Sequence, residues 1–339
     1  MHRVQIETDI KVSPLQGGFQ KGIGCIMTSF LLRECAYFSK ESGSKLYICC
    51  FDVKTAFDKV SHNGLFYKLY HLGVKLRSWK AIVSLHDNLQ SRVLYKGFKS
   101  ENFPVNIGTR QGGVSSPFLY LYLCFIDGLI RELESTYLGL SINGIHVPCT
   151  VSADDMTLLS LTKSGLDKMI NICYNYSCKW GYEYNASKSA ILVCNEPKRD
   201  QLNSTRSWCV GSDDIPEVDT YTHLGVSFDR NLSISGCLKD ANNKLKSTLL
   251  SLDCCGVYEN GGLHPLTSKK IYKSIVLPRG LYGCEMWYNM TKTNISLIEK
   301  SHRFCVKYIQ SIGTRTRTHI ALGLLGLYTM EAEIDKKKN

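Results

Sequence analysis

The sequence predicts an α+β fold: an antiparallel sheet with helices packed on one face over residues 1–232, then a helical, basic region over 233–339. Two observations carry this. Up to residue 232, short β-prone runs alternate with stretches of helical period, and several runs are joined by hairpin turns. Beyond 232 the helical period alone remains, in segments 237–252, 268–277 and 294–310, dotted with Lys239, Lys244, Lys246, Lys269, Lys270, Lys273, Lys300, Arg303 and Lys307. At 339 residues, 44% hydrophobic and 21% charged, the chain can bury a sizeable core, which excludes a disordered or low-complexity class.

The elements follow in order. Ile26, Phe30, Leu31, Ala36 and Tyr37 recur at helical spacing, and Gly43 ends that helix. Lys45 to Asp52 is an apolar strand ending on a carboxylate, followed by two helices, 61–73 and 76–89. Segments 91–95 and 103–107 read as hairpin strands. Residues 108–117 form a loop, and Pro117, capped by Ser115 or Ser116, opens a helix to about Glu134. Residues 148–160 read as strand, tight turn, strand, with Asp154 and Asp155 in the turn. Ser164-Gly-Leu-Asp167 reads as a helix start, with Asp where a capping box would have Glu, and that helix runs to about Trp180; a strand covers 189–195, a polar loop covers 196–215, and a short strand pair centres on 221–228.

Composition narrows the function classes. Lys and Arg outnumber Asp and Glu by 41 to 30, a net charge of +11 suited to a polyanionic partner. The longest apolar stretch, Phe118 to Ile126, is too short to span a membrane. The start MHRVQIETDI has no apolar signal core, so an intracellular protein, nuclear or cytoplasmic, is expected. The fifteen cysteines form no C-x-x-C pair, which points to reduced, buried thiols. Lys336-Lys-Lys338 reads as a frayed end.

Two acidic points carry chemistry. Asp52 ends an apolar strand, and Asp154-Asp155 occupy a hairpin turn. On neighbouring strands, Asp52 and Asp154 would make a hard-oxygen site suited to Mg²⁺. Two such ions, about 3.5–4 Å apart, clamp an in-line phosphoryl displacement.

The order of motifs resembles reverse transcriptases of the non-LTR, LINE-type retrotransposon family. Phe51-Asp-Val-Lys-Thr-Ala-Phe-Asp58 resembles the first palm motif, Arg110-Gln-Gly-Gly-Val-Ser-Ser-Pro117 the second and Ala153-Asp-Asp155 the third. Asn185-Ala-Ser-Lys-Ser189 is similar to the fourth, His223-Leu-Gly225 to the primer-grip hairpin, and Gln16-Gly-Gly-Phe-Gln20 to the Q-x-G-F segment. The resemblance covers about residues 16–228 and implies a right hand with partial fingers, an α+β palm and a helical thumb. It implies an RNA-directed DNA polymerase that uses an RNA template, a DNA primer, dNTPs and two Mg²⁺ ions, or Mn²⁺ in their place.

By the same resemblance, Asp52 and Asp154 would ligate metal, with Asp155 beside them and the Val53 carbonyl helping. Phe57 would wall off a 2′-hydroxyl, Gln111 and Gly112 would lie against nucleotide and template, and Lys188 would neutralise or protonate the leaving pyrophosphate. Leu224 and Gly225 would form the primer grip. Ser152 stands where the family has an aromatic. The chain begins close to Q-x-G-F, so an N-terminally truncated copy is expected. Lys11, Lys21 and Arg33 are available basic residues, but none of them maps onto the family's triphosphate-holding role. A remnant that binds nucleic acid without catalysis is the rival reading. A viral RNA-dependent RNA polymerase is disfavoured by Phe57.

Overall fold

A computed structural model describes residues 12–18, 20, 22–108, 117–202, 205–257 and 262–338. The chain divides into two compact units, residues 1–219 and 220–339, so the strand pair at 220–229 belongs with the helical part rather than ahead of a boundary at 232.

The first unit is built on a four-stranded antiparallel sheet. Its order is Ala190–Cys194, Leu46–Phe51, Asp155–Ser160, Cys149–Ser152. Leu46–Phe51 is central and all six of its residues are buried, as expected of a continuous apolar run. It pairs with Asp155–Ser160 in the register Phe51↔Met156 and with Ala190–Cys194 in the register Cys50↔Ala190. Helix Lys163–Trp180 packs on the two middle strands and helix Cys25–Glu41 on the Cys149–Ser152 strand.

Local chemistry sets the helix ends. The Ser61 hydroxyl caps helix His62–His71 by accepting from the Gly64 amide. Thr162, not Ser164, caps Lys163–Trp180, and Asp167 pairs with Lys163 instead of closing a capping box. Gly181, at φ 74°, ends that helix in the left-handed conformation. The 91–107 hairpin is shorter than expected. Leu94–Tyr95 pairs with Phe98–Lys99 around Lys96 and Gly97, and only Gln90–Ser91 reaches Phe103–Pro104. A further hairpin, Leu140–Ile142 with Ile145–Val147, turns on Asn143-Gly144, both at positive φ as a type I′ turn requires. The 196–215 segment carries a short helix, Lys198–Leu202, and the strand pair Cys209–Val210 with Asp213–Asp214.

In the second unit, helices Ser235–Ser251, Pro265–Ile271 and Lys292–Tyr308 enclose a core that includes Leu245, Leu249, Tyr272, Trp287, Ile298 and Val306. Two more helices follow, Thr318–Leu325 and Met330–Lys338. The terminal lysines are therefore helical, and Lys338 Nζ donates to the Trp287 carbonyl at 2.8 Å. All fifteen cysteines are free, and most are buried. No helix among the described residues is long and apolar enough to cross a membrane.

One buried cation stands out in the first unit. Lys68 donates to the Phe125 carbonyl and the Tyr176 hydroxyl. Its ammonium lies 4.1, 4.5 and 3.7 Å from the ring centroids of Phe125, Tyr176 and Trp180. Burial, helped by the Lys179 charge, pulls its pKa from 10.5 down to about 7. Between pH 7 and 10.5 the unfolded chain thus binds more protons at this site than the native state, so stability rises with pH through that window. Above about pH 8 ionising cysteines oppose the trend, because burial pushes native thiols such as Cys50 up to about 12. The first unit should gain about a degree or two in melting temperature from pH 7 to 8. Lys68→Met should flatten that rise; a variant with the parental slope would exclude Lys68 as its source.

Candidate active site

The central strand delivers Asp52 to the sheet edge. Its amide donates to Ser189 Oγ at 3.1 Å, and its carbonyl accepts from the Asn185 amide at 2.8 Å. The Lys54 amide donates to the Glu183 carbonyl at 2.9 Å, completing a bridge between Val53 and Tyr184. Strand alternation then turns the Val53 amide and carbonyl away from residues 183–185, toward the neighbouring Asp155–Ser160 strand. Carrying the Phe51↔Met156 register one step further sets Asp52 opposite Asp155. Directly opposed residues share a sheet face, so these two carboxyl groups leave the sheet on the same side.

Asp154 sits in the turn between the two hairpin strands. Ser152 pairs with Asp155, leaving Ala153 and Asp154 as the connection. Ala153 has φ 61°, a left-handed conformation that costs an alanine about 1–2 kcal/mol. Burial raises the Asp154 pKa, and the Asp52 charge adds to it. Burial also raises Asp155, to about 6, with the Asp154 and then the Asp52 charges adding. The Asp52 charge thus reaches both turn carboxyls, and Asp154 and Asp155 are disfavoured as anions by the carboxylates beside them. Among the described residues, no group of three or more His, Cys, Asp or Glu side chains is gathered to hold a metal ion. The donor set on offer is hard oxygen: carboxylates crowded enough to gain from a divalent cation, with the Val53 carbonyl facing the strand that opens on Asp155.

Phe57 is half-buried and packs on Tyr122, ring centroids 4.8 Å apart. Tyr122 is buried, and its hydroxyl is held protonated by burial and by the charges of Asp154 and Asp155. The sugar-wall candidate and the carboxylates thus meet through one helical tyrosine. Lys188 lines a cleft of about 530 Å³ together with Asp52, Val53, Lys54, Lys59 and Asn185; Asp154 and Asp155 are not among its walls. Gln111 and Gly112, with Ser115 and Ser116, lie outside the described residues. So do Lys11 and Lys21. Arg33 is buried against the Tyr37 ring, which removes it as a surface ligand for a triphosphate.

Leu224 and Gly225 form the turn of the Thr220–His223 and Val226–Asp229 hairpin in the second unit. The Leu224 carbonyl accepts from Tyr282 Oη at 3.1 Å, and the Gly225 carbonyl from Lys244 Nζ at 3.4 Å. Lys244 and Lys307, which donates to the Thr314 carbonyl, are tied to their own unit's backbone.

Four residues around the carboxylates escaped the sequence reading: Tyr122, Ser189, Gln16 and Gly18. Tyr122 sat within an apolar helical run, and Ser189 within a motif read for its lysine. Gln16 and Gly18 belonged to a recognised segment with no role attached. Gln16 Oε1 accepts from the Ala153 amide at 3.0 Å.

The family model described as reverse transcriptase (RNA-dependent DNA polymerase) matches residues 4–228. The chain is 25% identical to the Pol polyprotein of the type-2 retrotransposable element R2DM of Drosophila melanogaster, over 66% of this chain and 21% of that protein. It is 26% identical to the Pol polyprotein of the type-1 retrotransposable element R2 of Popillia japonica, over 84% of this chain and 40% of that protein. To the RNA-directed DNA polymerase of the mobile element jockey of Drosophila melanogaster it is 24% identical, over 73% and 26%. Among solved structures, apo telomerase from Candida tropicalis, truncated from its C-terminal domain, superposes with a TM-score of 0.44 at 14% identity, covering 61% of this chain and 39% of that one. The chain spans between about a fifth and two-fifths of the length of these curated relatives. It belongs to the reverse transcriptase (RNA-dependent DNA polymerase) family, in its non-LTR retrotransposon branch.

Proposed function

We propose that this chain supplies the polymerase site of a non-LTR retrotransposon protein, adding deoxynucleotides from dNTPs to a primer 3′-hydroxyl on an RNA template. The observation that carries this reading is the approach of Asp52 to the Asp154–Asp155 turn on adjoining strand ends, where the Asp52 charge raises the proton affinity of both turn carboxyls. Asp52, Asp154 and the Val53 carbonyl would hold divalent cations, with Asp155 adding charge. When bound there, Mg²⁺ lowers the pKa of the primer hydroxyl and offsets charge on the departing pyrophosphate.

The chain's own groups supply the rest. Phe57, braced by Tyr122, presents a flat apolar wall where a 2′-hydroxyl would sit. Lys188, in the same cleft as Asp52, offers a cation and a proton to the leaving group. Gln111 and Gly112 would contact nucleotide and template. Leu224 and Gly225 would grip the primer, and the basic helical unit would follow the duplex by phosphate contacts, which position without reading sequence.

Primer extension on an RNA template with Mg²⁺ and dNTPs tests the reading. Asp154→Asn should lower the rate by about 10²–10³-fold or more. A parent chain that binds duplex in a salt-sensitive way but never extends a primer would favour the binding-only remnant. Phe57→Val should raise ribonucleotide incorporation relative to deoxynucleotide by roughly tenfold; an unchanged ratio would remove Phe57 from the sugar wall.

A further inference from the structure

We infer that Gln16 is a positioning residue for Asp154: its buried carboxamide clamps the strained Ala153 main chain and so fixes the turn that carries the carboxylate. The catalytic half of this inference rests on the polymerase reading; the clamp itself does not.

The side chain of Gln16 is completely buried. Its Oε1 accepts from the Ala153 amide at 3.0 Å and from the Gly18 amide at 2.8 Å, while its Nε2 donates to the Ala153 carbonyl at 3.4 Å. One carboxamide thus grips both main-chain polar groups of the residue that precedes Asp154. Ala153 holds a left-handed φ of 61° with a side chain present, so an outside restraint has strain to oppose.

The clamp is anchored at its base. The Gly17 amide donates to the Val151 carbonyl at 2.7 Å, and the Val151 amide to the Leu15 carbonyl at 3.0 Å, which lays residues 15–17 along the Cys149–Ser152 strand. The Ser13 amide donates to buried Asp127 at 2.7 Å, fastening the segment to helix Pro117–Ser135. Gly18 completes the fit: a Cβ there would lie 2.3 Å from the Ala153 nitrogen, so no larger residue can approach the turn as closely.

The residue type follows from the chemistry. The turn and Gly18 present two amides and one carbonyl, and glutamine sets an acceptor beside a donor. Glutamate would lose the donor and add a negative charge near Asp154. Methionine would fill the space and satisfy neither amide.

Hydrogen–deuterium exchange on the full chain tests the clamp without reference to activity. In Gln16→Met, exchange across residues 152–154 should rise about tenfold, matching the loss of one hydrogen bond, while Thr157–Leu159 in the adjoining strand stay protected. Equal exchange in variant and parent overturns the clamp, whether or not the chain polymerises. So does an increase that extends through Thr157–Leu159, which would mean general loss of structure. Primer extension then tests the catalytic half. Gln16→Met should lower kcat about tenfold or more with the dNTP KM within about twofold, and adding Ala153→Gly, which removes the strain, should recover part of the loss. A freed turn with parental kcat, or no recovery on adding Ala153→Gly, overturns the positioning role. A parent that never extends a primer fails the polymerase reading and with it the catalytic half, and leaves the clamp to be judged by exchange alone.

Discussion

The pairing of Leu46–Phe51 with Asp155–Ser160 is the constraint on which the site depends. The two strands are about a hundred positions apart in the chain, and only their register decides whether Asp52 meets Asp155. Side chains alternate with a period of two, so a slip of one residue would send Asp52 to the opposite face and reverse every buried residue behind it. Burial enforces the register. All six residues of the central strand are inside, and Cys49 shares the Leu158 pairing level with Cys149 on the outer strand. The apolar pattern that makes the strand also indexes the carboxylates at its tip.

That same burial shapes the electrostatics. Asp154 and Asp155 are raised first by desolvation and only then by their neighbours' charge. Tyr122 packs on Phe57, and its hydroxyl feels the charges of Asp154 and Asp155, so the apolar wall and the charged edge lie close together. Lys68 shows the opposite case. There a cation is buried with Asp127 acting on it only through its charge, and aromatic faces with two oxygen acceptors take the place of water. The charge is tolerated at a loss of basicity. At the Asp52 end of the sheet the carboxylates instead crowd one another, a repulsion that a bound cation would relieve.

Much of this was legible in the sequence. The central strand and the Asp154–Asp155 hairpin follow directly from runs of apolar residues ending on Asp. Helices with strong punctuation, such as the one closed by Gly181, were also readable. What escaped was decided by contact at a distance. Asn143-Gly144 carried a hairpin signal, but its strands are only three residues long, too short for a period of two to register. Thr162 outcompeted Ser164 as a cap because the strand before it ends two residues earlier. Arg33 looked like a surface cation until helix packing enclosed it. The roles of Gln16 and Tyr122 had no local signal, since each acts on a turn more than thirty positions away.

The two turns that matter most to the proposed chemistry share one physical solution. Ala153 and Leu224 both bear side chains and both adopt left-handed φ, 61° and 47°. In each unit the strained residue's carbonyl accepts from a polar side chain of a remote segment: Gln16 Nε2 for Ala153, Tyr282 Oη for Leu224. Glycine at either position would remove the strain, and the turn would then depend less on the remote hydrogen bond. A side-chain-bearing residue held by a distant hydrogen bond makes the turn narrow in conformation and conditional on the fold around it. For a carboxylate that must meet a partner on another strand, such a turn forms only when the sheet beneath it is already in register.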